Sequence, residues 1–491
     1  MKFIGPFLKI NTLSKESILH QLFYLSKESV HNLVFESKCG ISIPPHELGK
    51  SIDKNDFNFI RSSSPLICMY RKCSAKLSFE NDKLMWNSEK AKKDILISSN
   101  GFMTLALMEL CDYYKLMSTA DKDKGVFRNI YHQLSKLQLD FYAMHLRNTQ
   151  GFFTDKKHIS DMFVSKADFE EKKSPYKLSE QALMMCAYYK LGSMESYLNS
   201  RSKKESKNDD NTQDDNLNNG NKITKNQYVD FALDILNMLV DYRESIYNLT
   251  YGEKIKICFY LCIFYQYSNN EDCKSLIFDL YDLICEEYSN ISIITKYEYI
   301  LNKSLLSIVS LFMVHYFNFE KAKKFSNSLI NELVSLYDDK MCIFNKTSSG
   351  KTIEYASDEI MTYIYALYLH SYINGDDDVE QIIENIFKKS IVNSGLIPSW
   401  PQVPNLNSPE RYKNFSKKSE DLLDDEHFRL STIPTPEERE VAPVFLKHLY
   451  INTKKFEFKV SKCNFDSSRN MYIFFLNVFL QNYFSNNNQD S

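Results

Sequence analysis

A chain of 491 residues exceeds the length of one ordinary hydrophobic core, although a closed assembly of helices can reach that size as a single domain. With 43% hydrophobic and 14% aromatic residues it carries enough apolar surface to fold, which excludes global disorder. Lysine and arginine total 60 against 63 aspartate and glutamate, and a net charge of −3 exerts no long-range pull on nucleic acid or an anionic membrane.

The first residues, from Met1 to Asn11, lack the apolar stretch of about 7–15 residues that a secretion signal needs. The 11 cysteines are odd in number and widely scattered, unlike a disulfide framework, and the expected setting is a reducing cytoplasm. Residues 1–95 read as a small mixed module: a helix over 14–34, then short strands around Leu66–Tyr70, Ala75–Glu80 and Leu84–Trp86. Asn81-Asp82 lies between the last two as a hairpin turn.

From residue 96 to 485 the pattern changes to helix pairs. Periodicity predicts helices over 101–116 with 127–146, 178–191 with 227–248, 252–267 with 273–287, 301–317 with 320–337, and 357–373 with 379–392, then a last one over 468–484. Residues 199–226 are almost wholly Ser, Lys, Asn and Asp, which predicts a disordered insertion within one pair. The most apolar windows, 257–265, 305–317 and 471–480, fall short of the roughly 18–20 residues of a bilayer span, so buried helices and no membrane span are expected.

Seven of the 12 prolines fall between Pro398 and Pro443, and neither a helix interior nor a central strand absorbs that density. A connection this long in a compact domain is functional or disordered. Its large apolar residues favour an ordered lid or seam over 395–443.

Several second helices exit into a short apolar extended piece: Gln150-Gly-Phe-Phe-Thr-Asp155 before Ser179-Glu-Gln-Ala-Leu183, Met341-Cys-Ile-Phe-Asn345, and Gly395-Leu-Ile-Pro398 after Ser357-Asp-Glu-Ile360. Helix pairs that cannot bury their apolar faces alone must stack on neighbours. The fold expectation is all-α, with stacked helical hairpins closed into a toroid. In these motifs, over roughly residues 95–485, the chain resembles the six-hairpin (α/α) toroid proteins, which include glycoside hydrolases and polysaccharide lyases. The resemblance implies a bowl whose inner helices start at one rim, with ligand bound there.

Cleavage of a glycosidic bond needs two flanking carboxylates, and lyase chemistry needs a base with a group to hold the acid. Glu180, Asp358 and Glu359 stand in first helical turns and are the catalytic candidates, although Ser followed by acids is also what N-capping and the helix dipole favour. Trp400, Glu410 and Arg411 in the proline-rich segment are the ligand-binding candidates there; the indole can stack on a sugar or plug the domain. Arg469, a guanidinium opposing the dipole of the last helix, calls for a carboxylate partner or an anionic ligand and completes the set. The acidic run Glu420, Asp421, Asp424, Asp425 and Glu426 has two carboxylates one turn apart but no calcium-loop pattern, and reads as a solvated helix face.

No G-x-G-x-x-G, P-loop, G-x-S-x-G or H-E-x-x-H pattern occurs, so neither cofactor nor metal is expected. Two functions remain open at this level. One is a carbohydrate-active protein, hydrolase, lyase or binder, whose ligand is a glycan or another polar small molecule. The other is a non-catalytic scaffold that binds a protein partner through its concave face or proline-rich loop.

Overall fold

The computed structural model describes residues 13–44, 47–48, 63–80, 83–87, 91–117, 122–160, 167–172, 176–208, 226–290, 300–346, 350–375, 378–412 and 424–487. Twelve long helices dominate this part of the chain, and they form two concentric layers. The inner layer comprises α2 (Ile97–Met117), α4 (Leu178–Asn208), α6 (Tyr251–Ser268), α8 (Ile300–Phe317), α10 (Ser357–Asn374) and α12 (Ser467–Asn487). The outer layer comprises α1 (Lys15–Phe35), α3 (Lys122–His145), α5 (Gln227–Asp241), α7 (Glu271–Asn290), α9 (Glu320–Val334) and α11 (Glu380–Asn385), the last continuing as a wider π-wound turn to Asn393.

Sequence character separates the layers. The α8 segment is apolar or small over nearly every turn, and 12 of its residues are buried, as a helix covered on all sides requires. Its length and composition alone would allow a membrane crossing, but 67% of it lies inside the protein, packed on α6 and α10. By contrast α5 buries only Tyr228, Ala232, Ile235, Leu236 and Leu239, a single stripe at helical spacing.

Each inner helix packs on the next around a closed ring, α2 to α4, α6, α8, α10, α12 and back to α2. Five hairpins pair an inner helix with the outer helix that follows it. The sixth joins the two ends of the chain: α1 packs on α12, and buried Ser26 accepts a hydrogen bond from Asn477 at 2.8 Å. The segment expected as a separate N-terminal module therefore contributes an outer helix to the ring. Its strands join the rim as well.

Around that rim, β2 (Leu66–Ser74) pairs antiparallel with β1 (Gly40–Ser42), with β5 (Lys92–Ile95) and with β13 (Asn464–Asp466). The sheet continues from β5 to β6 (Lys156–His158) and β7 (Phe169–Glu171). The β3 (Leu77–Glu80) and β4 (Lys83–Trp86) hairpin pairs Glu80 with Lys83, leaving Asn81-Asp82 as its connection, outside the described residues. A three-stranded sheet of β10 (Thr352–Ala356), β11 (His448–Asn452) and β12 (Glu457–Val460) leads directly into α10. The helix α4 runs to Asn208, and the rest of the expected insertion, 209–225, lies outside the described residues.

The described parts of the proline-rich segment, 395–412 and 424–443, lie along the outer layer. Trp400 packs edge-on against Phe387 beyond α11, and the Gln402 carbonyl accepts from Tyr24 of α1 at 2.7 Å. The Pro443 carbonyl accepts from Ser29 of α1, and Ala442 donates to the Ala75 carbonyl beside β2 at 2.8 Å. The chain leaves the π-wound turn through Gly395, whose φ of +73° favours a residue without a Cβ.

Candidate functional site

The N-termini of the six inner helices meet at the rim, where their unpaired amides and dipoles favour anionic groups. Side chains from one helix tie the first turns of the next. Ser179 of α4 donates to Glu253 of α6 at 2.6 Å, and Ser99 of α2 meets Ser467 of α12 at 2.8 Å. The exit motif of α3 has a similar role: Asp155 accepts the Ile97 amide at 2.9 Å, capping α2, and Gln181 bonds both ways with the Phe153 backbone at 2.9 Å.

Below the first turns the axis is filled. Phe102 contacts Tyr260, Tyr472 and Phe475, with ring centroids 5.4–5.9 Å apart. Phe102 and Tyr472 each lie five residues into their helices, about 8 Å along the axis at 1.5 Å per residue. The bowl is therefore shallow and its floor aromatic. Tyr472 is half-buried, and its hydroxyl meets Thr362 of α10 at 3.2 Å.

Two polar groups stand in the first turns of α4 and α10. On α4, Glu180 is buried and pairs with Lys177 at 2.8 Å. Burial, and next the Asp155 carboxylate, push its carboxyl up to about 7 against the pull of Lys177. Its neighbour Glu253 goes the other way: burial would raise it, but the charge and hydrogen bond of Lys256 and the bond from Ser179 hold it below its ordinary value. On α10, Asp358 lies 3.6 Å from Arg469 of α12, so the structure brings these two candidates together. Burial raises the Asp358 carboxyl, the Arg469 charge opposes that, and Glu359 adds to it. Asp358 Oδ1 is enclosed and receives no hydrogen bond, although the side chain as a whole is 31% exposed. Beside it, His448 contacts Glu354 at 2.7 Å, and burial followed by the Arg469 charge holds its imidazole below the usual range.

The other sequence candidates do not join this rim. Glu359 is buried and saturated: it accepts from the Ala356 amide, Lys346 and Tyr363, closing the start of α10 as a cap, so a catalytic role is not available to it. Trp400 is fully buried with its indole N–H on the Phe428 carbonyl at 2.9 Å, and no ligand can stack on it. Glu410 takes a hydrogen bond from Tyr113 at 2.9 Å and an ion pair from Lys27 at 2.8 Å. Tyr113 stands 16 residues beyond Ile97, about 24 Å down α2, which places Glu410 at the far end of the ring. Arg411, next to it and equally buried, donates to the Pro404 carbonyl at 2.7 Å and to Asp425 at 2.6 Å. Both are structural.

In the acidic run, Asp425 is thus committed to Arg411, and Asp424 caps a short turn by accepting the Glu426 amide at 2.9 Å; Glu420 and Asp421 lie outside the described residues. Among the described residues no three His, Cys, Asp or Glu side chains are grouped as metal ligands.

Sequence reasoning missed Asp155, Glu253 and Tyr472. Asp155 was visible only as the end of an exit motif, Glu253 as one more acid in a first turn, and Tyr472 as one aromatic in an apolar run. Described residues line a cleft of about 560 Å³ between Val392–Pro398, Thr432–Pro434 and Val460–Cys463, which brings together mainly apolar and hydroxyl groups with Arg439. The rim instead holds two carboxyls that burial raises, Glu180 and Asp358.

No family model matches the chain, and no curated protein sequence matches it. Among solved structures it is similar to a D-mannose isomerase, with a TM-score of 0.49 and 6% identity over 93% of this chain and 97% of that one. A GH76 alpha-mannanase of Bacteroides thetaiotaomicron gives 0.43 and 9%, covering 90% and 99%. An endoglucanase of the termite Nasutitermes takasagoensis gives 0.41 and 9%, covering 95% and 99%.

Proposed function

We propose that the protein binds a glycan in the shallow bowl at the rim and acts on it by acid–base chemistry, with Glu180 and Asp358 as the working carboxylates. The observation that carries this reading is their placement. In the ring order α2, α4, α6, α8, α10, α12, two helices separate α4 from α10 on either side, so the helices that carry the two carboxylates start opposite each other at the rim. Packed helices lie roughly 8–10 Å apart, which puts those opposite axes roughly 16–20 Å apart and leaves room for a sugar ring between them.

Roles follow from the environments. With its carboxyl at about 7, Glu180 is populated as the neutral acid at neutral pH and can give a proton to a leaving oxygen. Asp358 pairs with Arg469 at 3.6 Å while its side chain is 31% exposed, so its carboxylate can accept from a sugar hydroxyl or take a proton. Tyr472 is a half-buried aromatic at the floor, the kind of side chain on which the apolar face of a pyranose rests.

A glycan array, followed by turnover assays on any glycan retained, tests the reading with wild type, Glu180→Gln and Asp358→Asn. Wild type should retain a glycan, and each variant should lose about 10²–10⁴-fold in turnover. Retention of no glycan by the wild type would sink it.

A further inference from the structure

One sector of the rim, where β2, the start of β11 and α12 meet, holds two cations without an ion-pair partner among the described residues. Arg71 and Lys72 lie on β2, Lys447 immediately before β11, and Arg469 in the first turn of α12. All four are half-buried. The two guanidiniums have carboxylates at ion-pairing distance but beyond hydrogen-bonding reach at Nε: Arg71 Nε is 3.8 Å from Asp466, and Arg469 Nε is 3.6 Å from Asp358. Arg71 Nε is enclosed without any acceptor. Asp466 spends one oxygen on the Ser468 amide and hydroxyl at 3.2 and 2.8 Å.

The two lysines are in a worse position. Lys72 faces Asp466 on β13 but faces Lys92 on β5, and like charges directly opposite across a strand pair destabilise it. Lys92 itself is drawn to Asp94 at 3.0 Å. Burial, and after it the charges of Lys447 and Arg71, hold the Lys72 ammonium below its ordinary value. The Lys447 carbonyl accepts from Arg469 at 2.9 Å and from the Ser357 amide at 3.3 Å, which fixes that lysine between β11 and the start of α10. Among the described residues no carboxylate lies within 4 Å of either ammonium. Four cations thus stand with Asp466, Asp358 and, across His448, Glu354, and two of the four, Lys72 and Lys447, have no carboxylate partner among the described residues, next to two helix N-termini that also favour anions.

Resting on the glycan reading above, we infer that the ligand is an anionic sugar, whose carboxylate or phosphate group is held by Arg71, Lys72, Lys447 and Arg469. Guanidinium groups suit either anion, since both present paired oxygens to the planar fork. Isothermal titration calorimetry with D-glucuronate, D-glucose 6-phosphate, D-glucose and inorganic phosphate tests it, on wild type, Lys72→Met and Lys447→Met. At least one acid should bind wild type tenfold or more tightly than glucose, the better acid naming the group. That preference should fall at least tenfold in both variants, and Lys72→Met should melt no lower than wild type because it removes a repulsion. Glucose binding as tightly as its acids overturns the anionic assignment and leaves the glycan reading standing. Inorganic phosphate bound with no sugar of either kind upholds the cationic cluster and sinks the glycan reading. A Lys72→Met variant that melts well below wild type makes that lysine a structural partner of Asp466 and overturns its part.

Discussion

Glu180 and Glu410 are both buried glutamates, each beside a lysine, and they do different work because of what else surrounds them. Around Glu180 the second neighbour is another carboxylate, Asp155, and the carboxyl rises to about 7 from an ordinary 4.5. Folded protein therefore binds that proton more tightly than unfolded chain does. The stabilisation is complete below about pH 4.5 and is lost as pH climbs through 7, a span worth up to roughly 3 kcal/mol. Unfolding of wild type and Glu180→Gln compared from pH 4.5 to 8 should move in favour of the variant as pH rises; a difference that is flat with pH contradicts the raised carboxyl. Glu410 instead pairs with Lys27, which Glu28 also engages. Burial alone would lower the Lys27 ammonium, but the charges of Glu28 and Glu410 hold it well above its usual range. Removing one member leaves a buried charge alone, so Lys27→Met should cost about 3–5 kcal/mol while Lys27→Met with Glu410→Leu costs less. Chemical denaturation of both variants checks this, and additive losses would show that the pair is not coupled.

The helices were legible because their composition states their layer. An inner helix such as α8 is apolar all round, an outer one such as α5 has one stripe, and both patterns survive without knowledge of the neighbours. First turns were harder. Ser357-Asp358-Glu359 holds two adjacent acids in one turn, and only packing tells them apart: Glu359 folds back on the Ala356 amide while Asp358 faces Arg469. The proline-rich segment shows the same limit. Its density of proline announces a non-helical element, but whether Trp400 faces ligand or core depends on Phe387 and Phe428, which come from residues before and after it in the chain.

At the scale of the molecule, the closing contact joins the chain's two ends. α1 and α12 pack together across more than 400 residues of intervening sequence, with Ser26 and Asn477 bonded between them. Of the 21 residues of α1, 14 are buried, so deleting residues 1–36 should expose the outer face of α12 and abolish a cooperative thermal transition followed by circular dichroism. A synthetic peptide of residues 13–36 should restore it. A deletion that melts like wild type would show that the ring closes without α1.

Local periodicity by itself determined five hairpins and their order, because the pattern of apolar residues along a helix reports how many of its sides are covered, but it did not mark α1, 14 of whose 21 residues are buried, as the outer helix of the sixth. It also marked the rim, since acids after serine signal a helix start whatever surrounds it. Only the tertiary structure decided which rim residues share a space. Glu180 and Asp358 are 178 positions apart, yet both start helices of one rim, α4 and α10, which fall opposite in a six-membered ring, and Glu410 is excluded because its hydrogen bond to Tyr113 fixes it at the far end of α2. Charge balance was equally a tertiary matter: Lys72 and Lys447 become a cationic cluster only when β2 and the start of β11 are brought together around α12, a proximity that no run of local sequence records.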